Sequence, residues 1–234
     1  MDNKALVVGL GEVGRALYKV LLNAHSVWAV DERKPLPEQA AVGGFDFLHI
    51  CFPYSPEFKR AVNAYQVRYR PAVTVIHSTV PVGTSRTLSA CHSPVMGVHP
   101  NLETSLTTFT KFVGGEGVSE AARHLGRAGI RCYITEQAET TELLKLLSTT
   151  FYGLCIEWTK HVKELCDWAD VPFEAWTLWT QAYNAGYAAL GRPEFTRPQL
   201  VPMSGRIGGH CVLPNLDLMP GGDPFVDLIR GRNE

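Results

Sequence analysis

The chain has 234 residues, 45% hydrophobic and 19% charged with a formal net charge of −1, enough to bury one full core and part of a second, and a balance that excludes intrinsic disorder and fibrous repeats. Acids and bases are mixed along its length without a basic stripe, so neither nucleic acid nor an anionic membrane surface is an expected partner. The first apolar run ends in glycines after about six residues, too short for a signal peptide or a membrane span, and the expected location is the cytoplasm.

Residues 1–137 alternate short β-rich runs with helical stretches. In order these are ALVVG and a helix to Ala24, SVWAVD, FDFLHICF and a helix through Glu57 to Tyr65, AVTVIHS, PVMGVH, KFVGG and RCYIT. Strands separated by helices predict βαβ units, hence an α/β, doubly wound Rossmann domain with a parallel sheet. The nearly continuous apolar character of ALVV and VTVI suits strands covered on both faces.

From Glu139 the period changes. Leu143, Leu144, Leu147, Phe151, Leu154 and Trp158 recur at three- and four-residue steps, predicting one long helix toward Asp170 that Val171-Pro172 ends. A second helix, from Pro172 to Leu190, carries Trp176, Trp179, Tyr183 and Tyr187. So broad an apolar face, with little chain left to cover it, predicts a homodimer built on residues 138–234, the region that also holds Cys211. Beyond Gly191 the tail is rich in proline and glycine and reads as loop followed by a weak terminal segment. The six cysteines, at 51, 91, 132, 155, 166 and 211, include no C-x-x-C pair, so they read as free thiols. Five lie in or beside apolar segments, whereas Cys211 sits in a glycine-rich loop. The eight histidines show no metal-ligand spacing, and no metal is expected.

Gly9-Leu10-Gly11-Glu12-Val13-Gly14 follows the first strand and opens the first helix, the context a dinucleotide fingerprint requires. Its first glycine permits the turn, the second lets backbone approach a pyrophosphate, and the third lets helix and strand pack closely. Asp31, at the end of the second strand, would accept hydrogen bonds from an adenosine ribose and repel a 2′-phosphate, so NAD is the expected cofactor. Arg33 close behind weakens that preference, and a simple turn-capping role is the alternative for Asp31. Pro53, after the third strand, completes the expected cofactor-binding set with Thr79.

VVGLGEVG, HSTVPVGTS (77–85), FVGGE (112–116), ELLKLLSTTF (142–151) and GRIGGHC (205–211) occur in the order and spacing of the UDP-glucose/GDP-mannose dehydrogenase family, and GGHC is most similar to its UDP-N-acetylmannosamine dehydrogenase branch. The resemblance covers the NAD-binding and central helical parts; nothing in this sequence corresponds to that family's C-terminal nucleotide-binding domain. It implies an NAD-dependent oxidation of a sugar or nucleotide-sugar alcohol. Thr79 would lie beside the nicotinamide, Lys145 at the reaction centre, and Cys211 would be the covalent nucleophile. Lys145 and Thr149 are one helical turn apart, so both can face one site; an exposed Lys145 paired with Glu142 is the alternative, as is an incidental thiol for Cys211. Three positions depart from the family pattern. Thr149 replaces an asparagine, Asn215 replaces an aspartate and cannot take a proton at neutral pH, and His99-Pro100-Asn101-Leu102-Glu103 replaces a Pro-Glu-Phe region. That last change leaves His99, Asn101 and Glu103 as substrate-side candidates, together with His210 beside the thiol. Two other readings stay open: a non-catalytic NAD(H)-binding sensor or complex subunit, and a simple two-electron dehydrogenase or reductase.

Overall fold

The computed structural model describes residues 3–31, 44–97, 100–209 and 211–234, and the chain divides into two compact units, Met1–Lys145 and Leu146–Glu234. The first is built on a seven-stranded sheet formed by β1 (Lys4–Val8), β2 (Ser26–Val30), β3 (Phe47–Ile50), β4 (Val73–Ile76), β5 (Cys91–His92), β6 (Lys111–Gly115) and β7 (Cys132–Thr135), in the spatial order β2-β1-β3-β4-β5-β6-β7. Helices α1 (Glu12–Leu21), α2 (Phe58–Tyr69), α3 (Thr84–Thr87), α4 (Leu102–Thr108) and α5 (Val118–Arg127) connect the strands. This is the α/β architecture expected of the N-terminal part. Strands β2 and β3 flank β1 on opposite sides, so the winding reverses at β1, the point where ligands gather in open α/β sheets.

The period-2 geometry of strands explains why these apolar runs are continuous. Ala5 and Val7 enter one core layer with Leu17, Phe47, Val75 and Val113, while Leu6 and Val8 enter a second with Leu48, Ile50, Ile76 and Phe58. Both faces of β1 are buried, which a half-solvated strand could not tolerate.

Two details differ from expectation. Residues 94–97, the described part of the strand predicted at 94–99, form no strand, and the short β5 ends at His92. Pro94 has no N–H for a ladder, and the Ser93 and Pro94 carbonyls instead accept from Lys111 Nζ at 2.6 and 2.9 Å. The sheet is also not wholly parallel: β5 and β6 pair antiparallel, Cys91 opposite Gly115 and His92 opposite Gly114.

The second unit holds most of α6 (Ala138–Trp168), then α7 (Phe173–Ala189), a 3₁₀ turn at Pro193–Phe195, α8 (Val212–Leu216) and α9 (Pro224–Arg232). Asp170, at φ 54°, carries the chain out of α6. The small core joins Ile207, Val212, Leu216, Val226 and Ile229 to Leu154 and Ile156 of α6. Gly153 permits that approach, since a Cβ there would stand 2.9 Å from Val212 Cγ1. The terminal segment is a better helix than its composition suggested: Asp223 caps α9 by accepting from the Phe225 and Val226 N–H groups, with Pro224 at the first helical position. By contrast α7 buries only Thr180, and Trp168 and Trp179 are 85% and 69% exposed.

Candidate functional site

The glycine loop between β1 and α1 is held by packing on two sides and open on the third. Gly9, at φ 92°, donates its N–H to Val30 O, and a Cβ on it would meet Phe52 N at 2.9 Å. A Cβ on Gly14 would lie 1.8 Å from Gly9 O, so helix and strand touch there through backbone alone. Gly11 faces open space: a Cβ on it would meet no atom of the described residues within 4 Å. The exposed Gly11 and Glu12 thus stand at the head of α1, whose first N–H groups point outward, while Val13 turns toward the core. Asp31 holds the loop itself: its Oδ2 accepts the Leu10 N–H at 2.6 Å. A carboxylate has about four acceptor positions, so this loop-capping bond is compatible with a ribose contact.

The ends of β3 and β4 continue the same rim. Cys51 N–H bonds to Val8 O and His77 N–H to Ile50 O, after which Ser78 Oγ donates to Phe52 O at 2.6 Å. Gly9, the Phe52-Pro53 step and Ser78-Thr79 therefore lie side by side at the carboxyl ends of three adjacent strands, with Pro53 exposed and Thr79 half-buried.

The opening turns of α6 press against the loop that follows β4. Glu142 is fully buried, and its carboxylate accepts from Gly83 N–H at 2.6 Å and Ser85 N–H at 2.8 Å. An exposed Glu142–Lys145 pair is therefore not what forms; Lys145 Nζ donates to Val95 O at 2.9 Å.

A second group of polar residues was not anticipated. Alternation along FLHI and VIHS places His49 and His77 on the same face of neighbouring strands, and α5 adds His124. His49 Nδ1 lies 2.9 Å from His77 Nε2, His49 Nε2 lies 3.1 Å from His124 Nε2, and Asn3 Nδ2 lies 3.3 Å from His124 Nδ1. The outer end fixes every proton. His77 Nδ1 faces Ser93 O at 2.9 Å, and a carbonyl only accepts, so His77 carries its proton on Nδ1. His77 Nε2 then accepts from His49 Nδ1, His49 Nε2 accepts from His124 Nε2, and His124 Nδ1 accepts from Asn3. Burial holds the rings neutral, lowering His49 to about 3, His124 to about 2 and His77 well below the usual histidine range. Burial likewise lowers His92 to about 3 and Lys111 to about 7. The signal available in the sequence was a histidine at a core-facing strand position, which composition alone does not distinguish from a surface one.

The remaining candidates fall in both units. Asn101 is exposed at the N-terminus of α4, where its carbonyl accepts from Ser105 N–H and Oγ. Glu103 pairs with Lys19 in the last turn of α1 at 3.0 Å, both side chains exposed. It is therefore set at the opposite end of α1 from the glycine loop. In the second unit, Thr149 is buried and its Oγ1 donates to Leu146 O at 3.0 Å. Cys211 is exposed and immediately precedes α8, in which Asn215 is buried. Arg33, His99 and His210 lie outside the described residues. Among the described residues, no group of three or more His, Cys, Asp or Glu side chains is arranged to hold a metal ion, and no helix is long and apolar enough to cross a membrane.

No family model matches the sequence, and no curated protein matches it. Solved structures do match in fold. UDP-D-ManNAc dehydrogenase from Pyrococcus horikoshii superposes with a TM-score of 0.73 at 17% identity, over 98% of this chain and 68% of its own. 3-Hydroxyisobutyrate dehydrogenase from Mycobacterium tuberculosis gives 0.71 at 15%, over 99% and 92%. NDP-N-acetyl-D-galactosaminuronic acid dehydrogenase from Methanosarcina mazei Go1 gives 0.71 at 16%, over 99% of this chain but 66% of its own. At such identities the shared property is the fold, and this chain spans about two thirds of the two sugar-nucleotide enzymes.

Proposed function

We propose that this protein is an NAD-dependent dehydrogenase that oxidises the alcohol of a small polar, sugar-type substrate. The observation that carries the reading is the glycine loop at the winding reversal, closed by backbone contact at Gly9 and Gly14, open at Gly11, and tied to Asp31. These residues fit a dinucleotide: the space a side chain at position 11 would fill is the space a pyrophosphate needs. The Asp31 carboxylate favours a free ribose 2′-hydroxyl over a 2′-phosphate, hence NAD. Bound there, the nicotinamide would supply a hydride acceptor for the alcohol carbon. Thr79, on the same rim, is the proposed neighbour of that ring, and Lys145 the proposed electrostatic partner of the substrate oxygen.

The finer reading gives Cys211 a covalent role, adding its thiolate to the carbonyl carbon that the first oxidation produces. Its support is the exposed thiol in a glycine-rich loop and the family resemblance of that loop. A second reading is a single two-electron oxidation of a small hydroxy acid, favoured by the 92% coverage of the hydroxyisobutyrate dehydrogenase chain. NADH formed per mole of substrate, measured with sugars, nucleotide sugars and small hydroxy acids, separates them. Two equivalents, falling to one in Cys211→Ala, are expected. One equivalent in both proteins selects the second reading, and none with any substrate leaves a binding protein. For the cofactor itself, calorimetry is expected to give NAD at least tenfold tighter than NADP, a gap of about 1.4 kcal/mol, and equal affinities refute the role of Asp31.

A further inference from the structure

We infer that Glu142 is a positioning residue for the nicotinamide half of the cofactor, acting through the loop that follows β4; the inference rests on the cofactor reading above. The loop, residues 78–86, runs from the rim where Thr79 stands to α3, and three side chains of the first turns of α6 grip it. Glu139 Oε1 pairs with Arg86 Nε at 2.9 Å. Thr141 reaches it through a relay: His92 Nε2 donates to Ser78 O at 3.1 Å, so the neutral ring presents a bare Nδ1, which accepts from Thr141 Oγ1 at 2.8 Å. Glu142 makes the central contact, one oxygen on Gly83 N–H and the other on Ser85 N–H.

The chemistry of that contact makes it a determinant of loop shape. Gly83 stands at φ 87°, a conformation with little intrinsic preference over its alternatives for glycine, so an external acceptor selects it. A carboxylate with two acceptor oxygens satisfies two N–H groups two residues apart, and charge-assisted bonds of this kind are about twice as strong as neutral ones. Glu142 and Ser85 are both fully buried, so the bond between them is shielded from water. At the other end of the same segment, Ser78 is pinned twice, by its own Oγ to Phe52 O and by His92 on its carbonyl. Thr79 is thus suspended between two fixed points, and only the α6 side of the suspension depends on Glu142. The adenosine half would rest on Gly9–Gly14 and Asp31, which Glu142 does not touch.

That division gives the test. Calorimetric Kd values for NADH and for ADP-ribose, which lacks nicotinamide, are measured on the full chain. The wild type is expected to bind NADH at least tenfold tighter than ADP-ribose. Glu142→Ala should collapse that ratio to within twofold of one while ADP-ribose affinity stays within twofold of wild type, which also certifies that the domain is folded. Glu142→Gln, with one acceptor oxygen left, should fall between. Should the alanine variant fail to fold, Glu142→Gln decides alone, with amide exchange at Gly83 and Ser85 as the second measurement: faster exchange with a reduced ratio supports the inference. Equal loss of both ligands, an unchanged ratio in the folded variants, or a wild-type ratio near one overturns it. A wild type that binds neither ligand overturns the cofactor reading and this inference together.

Discussion

The two units solve the same packing problem in opposite ways. The first buries its polar residues: four neutral imidazoles and a lysine lie within or beside a sheet covered on both faces. The second exposes its apolar ones, with tryptophans and leucines of α6 and α7 facing outward and ion pairs such as Arg232 with Glu164, at 2.9 Å, at the surface. Buried polarity makes a fold sensitive to protons, while exposed apolar area makes it sensitive to partners. A sheet core can hold imidazoles because each ring, when neutral, both donates and accepts, so a chain of them closes without water.

The largest expected effect follows from protons. For His49, His92 and His124 the folded pKa lies below the unfolded value of 6.5, so between those values the unfolded chain binds more protons. Their stabilising contribution is complete above pH 6.5 and is lost as pH falls toward 3, by about 2 kcal/mol per ring at pH 5. Lys111 acts in the same direction at higher pH. Its pKa is lowered from 10.5 to about 7, so stability rises between pH 7 and 10.5 by about 5 kcal/mol at most. Urea midpoints should climb from pH 5 to about pH 8, above which the buried Cys51 and Cys91 thiols, which keep their protons to about 12 in the folded chain, oppose the rise, and Lys111→Met should flatten the limb above pH 7. A flat profile would contradict the buried network.

Next in size is a pair of glycine substitutions in one loop. Gly14→Ala forces a methyl against Gly9 O and should cost about 3 kcal/mol, lowering thermal stability and NADH binding together. A Cβ at position 11 meets none of the described atoms, so Gly11→Ala should cost no more than about 1 kcal/mol, for the change of N-cap, while weakening NADH at least tenfold. Equal stability losses would show that the loop is filled differently.

The second unit's contrast is tested by association. A homodimer on α6 and α7 is expected at micromolar concentration by light scattering, and Trp168→Glu with Trp179→Glu should yield monomers that keep their helical circular dichroism. A monomeric wild type would leave those faces to another protein. The smallest effect concerns thiol rates. Burial pushes Cys51 and Cys91 up to about 12 and raises Cys132 and Cys155, whereas Cys211 is exposed, so mass spectrometry should find Cys211 alkylated first near neutral pH. Alkylation of Cys51 or Cys91 at a similar rate would contradict their burial.

What the sequence determined by itself was local and periodic. Uninterrupted apolar runs marked strands covered on both faces, the shift to a three-to-four step marked α6, and three glycines between strand and helix marked the loop, because each signal is a short-range constraint written in neighbouring residues. It misplaced β5 and missed the antiparallel β5–β6 pair, since strand direction depends on how the chain returns through α4. Only the tertiary structure decided which polar groups meet. Glu142 and Gly83 are 59 residues apart, and His49 and His124 are 75 apart. No local pattern tells a buried carboxylate that holds a loop from an exposed one beside a lysine; the partner supplied by folding makes the difference, because a polar group leaves water at low cost only where another group replaces the bonds it gives up.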